Sequence, residues 1–173
     1  MVGDALWYEA AMVVGITNAL NVVADGLGPL MAPVKPGAGP AEVVAVYDEI
    51  HAFYGGPGEI PIPFGLAAQD PGYLGDLWAA VKRAFMDNHL SRRLKTSLAF
   101  AVSLTTRSAF GTAFHLAEMR RLGVSEGGVM EIVGVTQMFS SYTKIADTLQ
   151  LEPDMGHIAP LDPTPAPGGE RRP

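Results

Sequence analysis

Residues 90–149 read LSRRLKTSLAFAVSLTTRSAFGTAFHLAEMRRLGVSEGGVMEIVGVTQMFSSYTKIADTL, a stretch that contains three successive helix patterns. Apolar residues recur in it at three- and four-residue spacings, which is the period of a helix that buries one face. Ser91, Ser108 and Ser125 each precede one pattern, and serine is a preferred helix N-cap. Gly123 suits the left-handed conformation that follows a helix end. The stretch therefore predicts three consecutive helices and no strand.

The N-terminal half of the chain continues the helical pattern. Residues 4–27 and 41–54 each show apolar residues on one helical face. Between closely spaced prolines, residues 64–69 can form only a short helical turn. A helix over 71–88 follows, because Asp70 is a good N-cap and the next residue is a proline. The whole pattern predicts an all-α bundle of six to seven helices.

The composition of the chain divides it into four parts. Residues 1–27 form an N-terminal apolar helix, and the Pro/Gly-rich residues 28–40 form a surface linker. Residues 41–151 form the main helical domain. The Pro-rich residues 152–173 lack apolar periodicity and are predicted to be disordered. The first helix also matches the last at an offset of 122 residues, so it is either a partial repeat or a chance likeness between two apolar helices.

Charge and cysteine content exclude several functions. The 173 residues include no cysteine, which excludes disulfides, thiolate metal sites and thiol chemistry by the chain itself. Twelve basic against 18 acidic residues argue against nucleic-acid binding. Asp4 and Glu9 precede any basic residue, and residues 10–24 are too short and too interrupted to span a membrane. We expect a cytoplasmic protein without a nucleic-acid or membrane partner, a metal site or a cofactor.

The stretch 90–149 resembles the core of the alkylhydroperoxidase-D-like superfamily, which includes the carboxymuconolactone decarboxylases. The shared features are a helix ending in AVS, a next helix with His115, an RLGVS turn and a closing helix ending near IADTL. Upstream, VYDEIHAFYGGPGEIPIPFGLAAQDPGYLGDLW (residues 46–78) resembles the lead-in helices of peroxidase-related members. The resemblance covers about residues 42–150. It implies an AhpD-like bundle over 41–151 and a homo-oligomer, as a dimer, trimer or hexamer.

The redox members of this superfamily carry Cys-x-x-Cys-x-x-x-His, with a glutamate twelve residues before the first cysteine. Counting back from His115 puts Ser108 and Gly111 in the cysteine positions and Thr96 in the glutamate position. Peroxide reduction needs a thiolate to attack the O–O bond and a second thiol to resolve the sulfenic acid. We therefore expect no thiol peroxidase activity, although family resemblance alone would suggest a peroxidase-related protein.

Ser108 and His115 are a poor substitute for the missing thiols. Seven residues along a helix amount to about 10.5 Å of rise, whereas proton transfer needs about 3 Å. The residue type and position of Ser108 instead favour an N-cap. Gly111 inside a helix indicates either close helix packing, the more common reason, or space left for a ligand.

The decarboxylase branch works without the cysteine pair and keeps a histidine at the position of His115. The resemblance implies that His115 acts as a general acid or base on a small carboxylated or lactone substrate. Arg83, Arg93 and Arg107 are candidate clamps for a carboxylate, with surface solvation as the simpler interpretation. The predicted pocket near His115 is lined by Thr96, Ser108, Phe110, Gly111, Met119 and Tyr142.

Two functions stay open at this point. The first is a carboxymuconolactone decarboxylase-like protein without thiol chemistry that binds a small apolar or carboxylated molecule near His115. Such a protein could also turn the molecule over by lyase or hydrolase acid–base chemistry. The second is a non-catalytic, oligomeric structural or interaction protein in which His115 is a core residue. A solvent-connected cavity at His115 would favour the first.

Overall fold

The computed structural model describes residues 3–151, which fold into seven α-helices. These residues contain no β-strand, so the predicted all-α class is confirmed. Each predicted helical segment corresponds to one observed helix. The predicted tail, 152–173, lies outside the described residues. The helices are α1 (Asp4–Leu27), α2 (Ala41–Tyr54), α3 (Ile62–Ala67), α4 (Pro71–Phe85), α5 (Arg92–Thr106), α6 (Ala109–Arg121) and α7 (Glu126–Leu149).

Two helix ends differ from the sequence pattern for identifiable reasons. α3 begins earlier than predicted, since a proline in the first turn lacks only an N–H that the helix does not use. α4 ends at Phe85 instead of near Asn88. There the backbone of Met86 is extended, and Met86 O accepts a 2.7 Å hydrogen bond from Lys95 Nζ on α5. In the loop that follows α4, the N–H groups of His89 and Leu90 donate hydrogen bonds to the carboxylate of Glu9 on α1.

α1 lies at the centre of the bundle and contacts α3, α4, α5 and α6. α5 and α6 pack against each other as a hairpin, with the left-handed residue Arg107 (φ 58°) at the turn. Burying one large apolar side chain contributes about 1.5–3 kcal/mol. The main core contains Val13, Leu20, Val43, Tyr47, Ile50, Phe64, Leu74, Trp78, Val81, Phe85 and Ala99.

The Pro/Gly-rich segment 28–40 is attached to this bundle by hydrogen bonds. The N–H of Val34 donates to Gly65 O at 2.9 Å, and Tyr47 Oη donates to Val34 O at 2.8 Å. The segment therefore runs along α2 and α3 and connects α1 to α2 in a defined position.

α1 is the helix among residues 3–151 that is long and apolar enough to cross a membrane by length and composition. One face of α1, however, is buried against four other helices and carries the polar residues Thr17 and Asn21 as well as Val13, Leu20 and Ala24. The other face of α1 is exposed and includes the large side chains of Trp7, Tyr8 and Val22.

α7 differs from α1, although both helices have 24 residues. It packs mainly on α5, and Val129 is its single fully buried residue. Most of the large apolar side chains of α7 are exposed by half or more of their surface: Met130, Val135, Met138, Phe139, Tyr142, Ile145 and Leu149. We call these seven residues the α7 apolar face.

Candidate functional site

The α5–α6 hairpin brings the predicted site residues into the interior of the bundle. Ser108 is the N-cap of α6, as predicted, and its Oγ accepts a 2.9 Å hydrogen bond from Gly111 N. Thr96 on α5 and His115 and Met119 on α6 are also buried, each with at most 3% of its surface exposed. Four of the residues that the sequence assigns to one site, Thr96, Ser108, His115 and Met119, thus lie on the α5–α6 pair.

Position 111 must be a glycine because α1 and α5 approach it too closely for a side chain. A Cβ atom at position 111 would overlap Asn21 Oδ1 and Ser103 Oγ, and it would lie 2.8 Å from Asn21 Cγ. Asn21 Nδ2 donates hydrogen bonds to Ser103 Oγ at 3.1 Å and to Thr106 Oγ1 at 3.2 Å. A carboxamide from α1 therefore fills the space that a side chain at position 111 would occupy.

His115 lies one helical turn beyond Gly111, between aromatic side chains. Its imidazole stacks on Phe85 of α4, with ring centres 5.9 Å apart, and meets the edge of Phe114 at 5.1 Å. This burial lowers the pKa of His115 to about 4, because removal of water disfavours the charged ring. The imidazole is neutral at pH 7. Among residues 3–151, no carboxylate forms a hydrogen bond with the imidazole.

Four buried polar atoms in this region have no hydrogen-bond partner among the described residues: Thr17 Oγ1, Asn21 Oδ1, Thr96 Oγ1 and His115 Nδ1. They belong to α1, α5 and α6, the three helices that meet around Gly111. Leaving a buried polar group unpaired costs about 1–3 kcal/mol, so such groups are uncommon in a packed core. Four of them on three helices that pack together are groups that a bound molecule or buried water would satisfy.

A surface cleft lies at the end of α1, and His115 does not line it. It has a volume of about 350 Å³ and is lined by residues of α1 and of the α5–α6 turn, including Asn21, Asp25, Thr106 and Ser108. Asp25 Oδ1 accepts a 3.5 Å hydrogen bond from the N–H of Phe110, at the start of α6. Among the residues that line the cleft, Asn21 is 2% exposed.

The remaining predicted site residues are dispersed. Phe110 is half-buried and stacks on Phe114 at 5.5 Å, and Tyr142 is 57% exposed on α7. Arg93 and Arg107 are exposed to solvent. Arg83 lines a different cavity, between α1 and α4.

Two buried charged groups escaped the sequence reasoning. Glu118 on α6, which the sequence suggests points away from His115, accepts hydrogen bonds from Arg92 (2.7 Å) and Arg121 (2.6 and 2.7 Å). Lys95 is 1% exposed and pairs with Glu9 Oε2 at 3.1 Å. Only the i, i+3 spacing of Glu118 and Arg121 gave a local signal for either group. Within residues 3–151, no group of three His, Asp or Glu side chains could hold a metal ion.

These features define an all-helical protein of the AhpD fold with a cysteine-free site helix. The chain is similar in structure to the alkylhydroperoxidase AhpD core from Rhodospirillum rubrum, with a TM-score of 0.62 and 23% sequence identity over 65% of this chain and 83% of that one. Residues 73–151 match the model of the carboxymuconolactone decarboxylase family. No curated protein matches in sequence. The chain thus shares the fold of the AhpD core, residues 73–151 match the carboxymuconolactone decarboxylase family, and the sequence contains no Cys-x-x-Cys pair.

Proposed function

We propose that this protein binds a small molecule at the buried site around His115 and carries out no thiol peroxidase chemistry. Ligand binding is supported by the unpaired buried polar atoms near His115. The absence of thiol chemistry is supported by Asn21, which fills the space at the second cysteine position. The redox members need a thiol there, whereas here Gly111 provides no side chain and the Asn21 carboxamide fills the space. Ser108, in the first cysteine position, uses its hydroxyl as an N-cap.

The chemistry around His115 favours a mostly apolar ligand with one polar group. Phe85 and Phe114 would contact the apolar part. The unpaired atoms Thr17 Oγ1, Thr96 Oγ1 and His115 Nδ1 would bind the polar group. Since its pKa is about 4, His115 is neutral at pH 7, so it serves as a hydrogen-bonding group and is a weaker general base than an ordinary histidine. If the bound molecule reacts, proton abstraction by His115 is the step that this ring supports.

The ligand would enter through the cleft at the end of α1. Asn21 closes this cleft, and rotation of its side chain would open a path toward His115 along α6. The cost is modest, because Asn21 Oδ1 has no partner to lose and Nδ2 donates two hydrogen bonds of about 1 kcal/mol each.

The test is a search for co-purified small molecules by mass spectrometry on the full chain. We expect a compound that is bound to the wild type and to His51→Ala, which changes a histidine outside both cavities, but is absent from His115→Ala. Equal amounts in all three proteins would contradict the proposal. So would turnover of a standard hydroperoxide by the purified protein.

A second candidate function is that of an oligomeric interaction protein in the cytoplasm. The α7 apolar face favours it, since monomeric soluble proteins seldom expose an apolar patch of this extent. The proposed partner is a second copy of this chain. Light scattering is expected to give a multiple of 18.3 kDa for the wild type and a smaller particle for Phe139→Asp. An 18.3 kDa monomer for the wild type would refute this candidate.

A further inference from the structure

A second cavity lies away from His115, between the first half of α1 and the end of α4. It has a volume of about 410 Å³, which is within the usual range for small-molecule sites. Tyr8 and Met12 of α1 form one wall, and α4 with the loop after it forms the other. His115 does not line this cavity.

The one acidic side chain on the wall, Glu9, is already neutralised by its neighbours. It accepts hydrogen bonds from the N–H groups of His89 (3.2 Å) and Leu90 (3.0 Å), and it pairs with Lys95 Nζ at 3.1 Å. These contacts lower the pKa of Glu9 to about 2. Lys95 is likewise occupied, because its ammonium group also donates to Met86 O.

Arg83 is the charged group on the wall that has no partner. Its guanidinium forms no ion pair with any residue of 3–151, whereas Glu9 and Lys95 neutralise each other. The remaining lining consists of apolar or uncharged groups together with His89 at the loop. The cavity thus combines apolar walls with one uncompensated positive charge, and a guanidinium binds carboxylates through two parallel hydrogen bonds.

We propose that this cavity binds a small amphiphilic carboxylate, with the carboxylate on Arg83 and the apolar chain against Tyr8 and Met12. The site is independent of the function proposed for His115. It gives Arg83 the role of a carboxylate clamp at a place where the sequence did not expect one.

Octanoate is a suitable probe, measured by isothermal titration calorimetry with the full chain. Octanol and octylamine test the carboxylate requirement at the same chain length. We expect octanoate to bind at least about tenfold more tightly than either, because a charge-assisted bond to arginine contributes that much. Equal affinity for octanoate and octanol, or no heat with millimolar octanoate, would overturn the proposal.

Three variants locate the site. Arg83→Gln is expected to weaken octanoate binding about tenfold or more. Arg93→Gln, at an exposed arginine outside the cavity, is expected to bind like the wild type, and so is His115→Ala. Wild-type affinity in Arg83→Gln would refute the assignment. Loss of binding in His115→Ala, with its fold intact by circular dichroism, would mean that octanoate uses the His115 site instead.

Discussion

The two longest helices, α1 and α7, have the same length, and each carries an apolar face. They even align at an offset of 122 residues, which pairs Val13 with Val135. Yet Val13 is 0% exposed and Val135 is 60% exposed. α1 packs against four helices, and α7 packs mainly on α5. An apolar helical face thus indicates that a partner surface is needed, but it does not say whether the same chain supplies it.

The largest expected loss of stability is at the contact between Gly111 on α6 and Asn21 on α1. Gly111→Val should destabilise the protein by about 3 kcal/mol or more, because the new side chain collides with Asn21 and Ser103. The matched control on α7 is Gly134→Ala, where a Cβ would meet nothing within 4 Å. The control should stabilise by up to about 1 kcal/mol, since alanine is the better helix former. Urea unfolding measures the free energy of unfolding of both variants. An equal change in the two would contradict the close contact of Gly111 with Asn21 and Ser103.

A pH titration tests the burial of His115. The pKa of His115 is about 4 in the folded protein and near 6.5 when unfolded. Between those pH values the unfolded chain binds more protons, so the free energy of unfolding should fall by about 3 kcal/mol as the pH drops from 6.5 to 4.

His115→Gln should remove most of that pH dependence, whereas His89→Gln should keep it. Below pH 4.5, protonation of Glu9 adds a further loss toward pH 2, because its folded pKa is lowered. A flat stability profile between pH 6.5 and 4 in the wild type would mean that His115 is hydrated in solution.

The valine pair tests the comparison most directly. Val13→Ala should cost about 2 kcal/mol, since it leaves a cavity in the core. Val135→Ala should change the stability of the monomer by less than about 0.5 kcal/mol. Thermal unfolding at low protein concentration measures both. If Val135→Ala lowers the stability only at high protein concentration, a second copy of the chain covers the α7 apolar face.

The smallest expected difference is between two helix caps. Ser108 and Ser125 each accept one N–H bond, at 2.9 and 3.1 Å, but Ser108 is buried. Ser108→Ala should cost about 1–2 kcal/mol and Ser125→Ala about 0.5–1 kcal/mol, because a buried N–H left unpaired is penalised more. Urea unfolding of both variants checks the order, and a larger loss for Ser125→Ala would reverse our ranking.

Much of the fold could be predicted because its signals are local. The serine caps, the Asp70 cap before Pro71 and the apolar periodicity give the helices nearly as observed. The end of α4 could not be predicted, since Lys95 and Glu9 replace its last helical contacts from elsewhere in the chain.

The candidate site was predictable only in part. The spacing to His115 identified Ser108, Gly111 and Thr96. Asn21 was missed, although its place one turn after Thr17 on the buried face of α1 was a signal. Whether a ligand binds near His115 stays a prediction.

The sequence by itself determined the all-helical fold and the absence of thiols, because periodicity, caps and residue identity are properties of the chain. Only the tertiary structure decided that Asn21 fills the space beside Gly111, that Arg83 lines a separate cavity and that α7 keeps its apolar face exposed. These depend on contacts between residues up to 90 positions apart in the chain. Packing across the whole bundle determines which helices contact each other. A local sequence pattern does not contain that information.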